Sequence, residues 1–119
     1  MSEQLVADLK TTRSILAERG RCDGWAHPDG RVCLDHAIAL ATSDYGVIED
    51  YIYLQRDNRA ANVIDALLQQ LPEENKQRAH REGFLPYQAL YMFNDEPRTT
   101  DEMIFNLIDK ALADCGGLG

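Results

Sequence analysis

Apolar residues recur every three or four positions along most of this chain, and that period decides the fold class. The pattern is most regular in residues 100 to 114, where Ile104, Leu107, Ile108, Ala111 and Leu112 form one stripe. A helix of 3.6 residues per turn gathers such positions on a single face. Residues 3 to 19 repeat the pattern with Leu5, Leu9, Thr12 and Leu16, widened by Val6 and Ile15. Asp8, Lys10, Arg13 and Glu18 fall off that stripe and are expected in water. Ser2 suits an N-cap, and Gly20, which tolerates a left-handed backbone, is a natural stop. In residues 58 to 71, Ala60, Ile64, Leu67 and Leu71 share one side, and Pro72 ends the run.

The remaining segments are shorter. Residues 34 to 42, "LDHAIALAT", predict an Ala-rich buried helix. Residues 86 to 93 open with Pro86, which fits a first helical turn. Thr99 followed by Glu102 has capping-box spacing for the last helix. Residues 44 to 56 carry two patterns: "YIYL" favours a strand, whereas Val47, Tyr51 and Leu54 fit a helical face, and we expect helix. Residues 72 to 84 are the most polar, either a solvated helix or a connection.

One segment breaks the period. In "CDGWAHPDGRVC", residues 22 to 33, Pro28, Asp29 and Gly30 are turn residues between two short arms, which predicts a β-hairpin. A lone hairpin is barely stable in water, so Trp25, Val32 and Leu34 should pack onto helices. The expected fold is therefore mainly α (α+β): five or six helices around one core, with one small β-hairpin after the first helix. Its length of 119 residues suits a single globular domain over residues 1–119.

Charge narrows the function. The net charge is −8, the opposite of what nucleic acid phosphates or anionic lipid attract. No run approaches the roughly 18 apolar residues of a membrane span. The start, "MSEQLVADLK", lacks the basic region and apolar run of a signal peptide. We expect a cytoplasmic protein with a protein partner, no nucleic acid partner and no membrane partner.

Three places carry candidate chemistry. Cys22, His27, Cys33 and His36 are zinc-ligand types, but their order, Cys-x4-His-x5-Cys-x2-His, does not match the paired knuckles of structural zinc. A Cys22–Cys33 disulfide is disfavoured too. An antiparallel hairpin places Cys33 across from Gly24 or Trp25 and leaves Cys22 two or three residues beyond, outside the Cβ separation of roughly 3.8 Å that a disulfide needs. Three cysteines in such a chain fit small buried apolar residues better. Cys33 also precedes a helix, whose dipole lowers a thiol pKa, and His36 lies one turn on, the minimum of a Cys-His site without a third member.

In "NDEPRTTDE", Asn94, Asp95 and Arg98 lie between two helices. Arg98 suits an anion. The structural alternative, which we favour, has Asn94 capping a helix end, Asp95 bonding the turn backbone and Arg98 pairing with an acid such as Asp95. Arg56, Arg59 and Asn62 are within helical reach of one phosphate, but Asp57 and Asp65 offset them. Arg78, His80 and Arg81 stand likewise beside Glu82. Tyr45, Tyr51, Tyr53, Tyr87, Tyr91 and Phe93 belong to the rim of the core or to an interface. No Gly-rich phosphate loop, Ser-His-Asp order, H-E-x-x-H or EF-hand loop occurs, and no cofactor is expected.

Residues 15 to 41 and 92 to 114 resemble a family of small uncharacterised domains of actinobacteria and their phages. In that family a helix ends in Gly, a Cys-containing turn and an Asp-Gly follow, and a Cys opens an Ala-rich helix. A Trp-Asn-Asp and Arg-Thr element then precedes a last amphipathic helix. Gly20, Cys22, Gly24, Asp29, Gly30, Cys33, Asn94, Asp95, Arg98 and Thr99 match. Phe93 stands in place of Trp, His36 in place of a small residue, and "DEPRT" is about one residue short. The resemblance implies a compact helical domain and assigns no activity; encoded by a phage, such a domain would act in the host cytoplasm on a host macromolecule. We therefore expect a non-enzymatic interaction module that uses an acidic, partly aromatic surface. One alternative is a small ligand-binding domain or enzyme whose site lies where Cys33 and His36 meet Asn94, Asp95 and Arg98. The other is a zinc-stabilised module.

Overall fold

The computed structural model describes residues 3–24, 26–42 and 59–116. As the spacing predicts, the protein is mainly α. The described residues form α1 (Glu3–Arg19), α2 (Leu34–Thr42), α3 (Arg59–Leu68), α4 (Glu73–Glu82), α5 (Pro86–Asp95) and α6 (Asp101–Asp114). The expected helix over residues 44 to 56, the Ser2 cap and Trp25 lie outside the described residues.

Helix α1 packs on α2, α3 and α6, and α5 closes the core against α2 and α3. The apolar stripes face inward as spaced. Ile104, Leu107, Ile108, Ala111 and Leu112 of α6 are all buried, as are Leu9 and Leu16 of α1 and Ala60, Ile64 and Leu67 of α3, with Leu71 just beyond it. Thr12 sits on an apolar stripe at no polar cost because its hydroxyl donates to the Asp8 carbonyl at 2.8 Å. Thr42 does the same to Ile38 at 2.8 Å. A hydroxyl satisfied within its own helix leaves no open donor in the core.

Several details differ from the sequence reading. Asp8, expected in water, is 2% exposed. Its two oxygens accept Arg59 Nε at 3.0 Å and Nη2 at 2.7 Å, and Gln4 Nε2 donates at 2.9 Å. A bidentate guanidinium replaces the lost water, and it commits Arg59 to this pair rather than to a phosphate. Arg13 is also only half-exposed: it donates to both oxygens of Asp109, at 2.8 and 3.2 Å, and lies 4.8 Å over the Phe105 ring. The cap of α6 is Thr100, one residue later than expected, and its hydroxyl accepts from Met103 N–H at 3.2 Å. Helix α5 runs to Asp95, so Asn94 and Asp95 lie in its last turn rather than in a connection.

The polar segment after Pro72 is a helix, α4. It stops at Gly83, whose φ of +66° is free of penalty only for glycine. Gly83 N–H then bonds back to His80 and Phe84 N–H to Ala79, at 3.3 and 2.9 Å. Unlike the other helices with long apolar stripes, α4 buries none of its residues fully and packs chiefly on α5.

The small β-hairpin is not seen. Its turn is present: His27 N–H donates to Arg31 O at 2.9 Å and Gly30 N–H to His27 O at 3.0 Å. The arms, however, carry only isolated bridges, both at Val32. One is antiparallel to Ala26 and the other parallel to Arg21. Two consecutive arms of a hairpin cannot run parallel. The chain leaving α1 turns at Asp23 and Gly24, so Val32 has the outgoing chain on one side and the returning chain on the other. Turn chemistry is local and was readable; this second pairing depends on what holds the loop from outside.

Candidate functional site

The loop from Gly20 to Cys33 is held by the α5–α6 corner, and the two family-like segments do meet there. Gly20 has φ +83°, and a Cβ on it would stand 3.1 Å from Arg31 Cγ. This bend sends Arg21 across the molecule. Arg21 Nη1 donates to the Asn94 carbonyl at 2.7 Å, Nη2 to the Thr99 carbonyl at 2.9 Å and Nε to Asp101 at 2.8 Å. One guanidinium thus ties the C-terminal end of α5 to the first turn of α6, where its charge opposes the negative end of the α5 dipole.

Asn94 is fully buried. Its Oδ1 accepts Leu34 N–H at 3.2 Å, and its Nδ2 donates to the Cys22 carbonyl at 3.0 Å and to Asp95 at 2.8 Å. The Arg21–Val32 bridge consists of Val32 N–H to Gly20 O and Cys22 N–H to Val32 O, both 3.1 Å. A parallel ladder would continue with Leu34 N–H to Cys22 O. The Asn94 amide occupies that rung instead, presenting one donor and one acceptor as a peptide group does. Asp95 completes the corner by accepting from Gly24 N–H at 3.0 Å.

Cys33 is the residue before α2. Its sulfur accepts His36 N–H at 3.3 Å and its carbonyl accepts Ala37 N–H at 3.0 Å. The helix dipole was expected to lower this thiol. Burial, with Asp35 nearby, instead pushes it up to about 12, because removing a thiolate from water outweighs the helix amides. Burial raises the Cys22 thiol as well, against the pull of Arg31. Neither is an activated nucleophile. Asp35, 2% exposed, has an Oδ1 with no hydrogen-bond partner among the described residues. Burial first, then the charge of Asp95, raises its carboxyl well above the ordinary range.

His36 stands half-buried and supports Cys33 through its backbone N–H. Arg98 is exposed and is not the partner of Asp95. His27 lies at the exposed turn, 3.0 Å from Asp29, away from the buried Cys22 and Cys33. Among the described residues no group of three or more His, Cys, Asp or Glu side chains is placed to hold a metal. The residues that sequence reasoning missed are Arg21 and Asp35. Arg21 had one signal, its place directly after a helix-ending glycine, and Asp35 had another, a lone acid in an apolar run.

A family model described as a family of unknown function (DUF6197) matches residues 1–114. The chain belongs to this family. The match spans both arms of the Asn94 corner, including Gly20, Cys22, Cys33, Asn94 and Thr99. No curated protein and no solved structure matches. No helix among the described residues of this DUF6197 chain is long and apolar enough to cross a membrane.

Of the concavities that the described residues of the DUF6197 chain form outside that corner, two adjoin α3. One, of about 380 Å³, is walled by Leu5, Asn62, Asp65, Gln69, Asp114 and Cys115. Desolvation raises the Asp65 carboxyl there. The other, of about 240 Å³, runs between the end of α3, α4 and the start of α5. Its floor is apolar, from Leu68, Leu71, Ala79 and Phe84, and Lys76 and His80 stand at its edge. Arg81 follows on the same side of α4 as Lys76 and His80.

Proposed function

We propose that this DUF6197 chain is a non-enzymatic protein-binding module that takes a short amphipathic segment of its partner into the groove between α3, α4 and α5. The observation that carries this reading is the groove's composition: an apolar floor of Leu68, Leu71, Ala79 and Phe84 edged by Lys76 and His80. A complementary segment has one or two apolar anchors and acidic flanks. Each Leu- or Phe-sized anchor contributes about 1.5–3 kcal/mol on burial. After the cost of association, that predicts affinity on the order of micromolar. The net charge of −8 is offset locally along this edge by Lys76 and Arg81, which favours an acidic segment there over a basic one. The setting is the cytoplasm, and for a phage-encoded chain the partner is a host macromolecule.

The test is affinity capture from cytoplasmic extract with the wild-type chain, Ala79→Glu and Lys10→Ala. We expect a stoichiometric protein that Ala79→Glu loses and Lys10→Ala keeps. No stoichiometric protein, or one that Ala79→Glu retains, overturns the reading.

A further inference from the structure

We infer that Cys22 and Cys33 are an oxidisable pair that closes into a disulfide within the folded protein. Three observations place them together. The parallel bridge sets Arg21 opposite Val32, so Cys22 and Cys33 are the next pair in register and project to the same side. Cys22 N–H still bonds Val32 O at 3.1 Å, so the two chains reach the cysteines near the ladder spacing of about 4.8 Å, inside the Cα window of about 4.4–6.8 Å that a disulfide spans. The Asn94 amide bonds both the Cys22 carbonyl and the N–H that follows Cys33. Finally, both are buried. The hairpin register had separated these cysteines; the parallel register joins them.

The oxidant is a peroxide. Cys22 attacks one peroxide oxygen and becomes a sulfenic acid as the O–O bond breaks and water leaves. The Cys33 sulfur then displaces the sulfenic oxygen as a second water, forming the S–S bond. The sum is two thiols and one hydrogen peroxide giving one disulfide and two waters. Buried thiols react slowly, so the pair answers sustained rather than brief oxidation. Cys115, half-buried at the end of α6, lies outside the pair.

The full reduced chain is incubated with hydrogen peroxide, unfolded, alkylated and weighed. We expect the loss of two hydrogens, a single alkylated cysteine mapping to Cys115, and a linked tryptic peptide. Trypsin cuts after Arg31 and so separates Cys22 from Cys33 unless they are bonded. The oxidised chain should melt about 5–10 °C higher than the reduced one, and dithiothreitol should reverse this. Three alkylatable thiols, oxygenated Cys22 without a link, or links only through Cys115 would each overturn the inference.

Discussion

Around a buried Asn94, polar groups spend their hydrogen bonds on one another: Arg21 has three acceptors and the Asn94 amide three partners. Along α4, polar side chains stand in solvent, and the helix covers an apolar groove without burying any residue of its own. In the sequence the ranking looks reversed. The Asn-Asp-Arg cluster suggests a site, and the charged run after Pro72 suggests nothing. The difference teaches that a conspicuous polar motif can be fully consumed in fastening the chain. Capacity for a partner is better sought where the fold leaves apolar surface uncovered.

The sharpest way to break this contrast is Asn94→Leu. It strands the Cys22 carbonyl and the Leu34 N–H in the core, which costs about 3–5 kcal/mol. Urea unfolding checks it, and a cost below about 1 kcal/mol would mean the corner is no fastening. Arg21→Lys comes next. A compact ammonium cannot span three divergent acceptors, so we expect a loss of about 2 kcal/mol by the same measurement.

Asp35 gives a pH signature. Its carboxyl is raised in the folded state above the ordinary 3.8, so the folded chain holds that proton more tightly than the unfolded one. Its contribution is fullest below the unfolded value and is lost as pH rises toward the folded one. Asp35→Asn stays neutral. Melting curves across about pH 4 to 8 should therefore show the variant gaining on wild type as pH rises; parallel curves would refute it.

Smaller effects separate two adjacent threonines. Thr100→Ala removes the α6 cap and should cost about 1 kcal/mol. Thr99→Val replaces a buried hydroxyl that has no partner among the described residues, so its melting temperature should not fall. Smallest of all, Arg81→Ala on α4 should stay within about 0.5 kcal/mol. Hydrogen exchange should still find α4 opening before α6, because little burial holds it.

What was legible in the sequence was whatever a few neighbouring residues decide. The stripe of α6, the stop at Gly20 and the turn at His27 to Gly30 are local, and all are found. What was not legible depends on remote partners. Asp8 reads as a solvent residue until Arg59 arrives from 51 positions away. The hairpin fails because Val32 pairs with Arg21 as well as Ala26. The cap is Thr100 rather than Thr99, whose carbonyl accepts from Arg21 78 positions away. Cys33 carried two readings, a dipole-lowered thiol and the favoured small buried residue, and burial decides for the second.

The Asn94 rung also fixes an order of events during synthesis. The two chain segments it joins emerge early from the ribosome, whereas Asn94 follows the Cys22 carbonyl by 72 residues and the Leu34 amide by 60. Until α5 has been translated, the Cys22 carbonyl and the Leu34 N–H lack the amide that joins them in the folded protein. A stalled or clipped product lacking α5 would therefore leave this edge unfinished and open to proteases and chaperones.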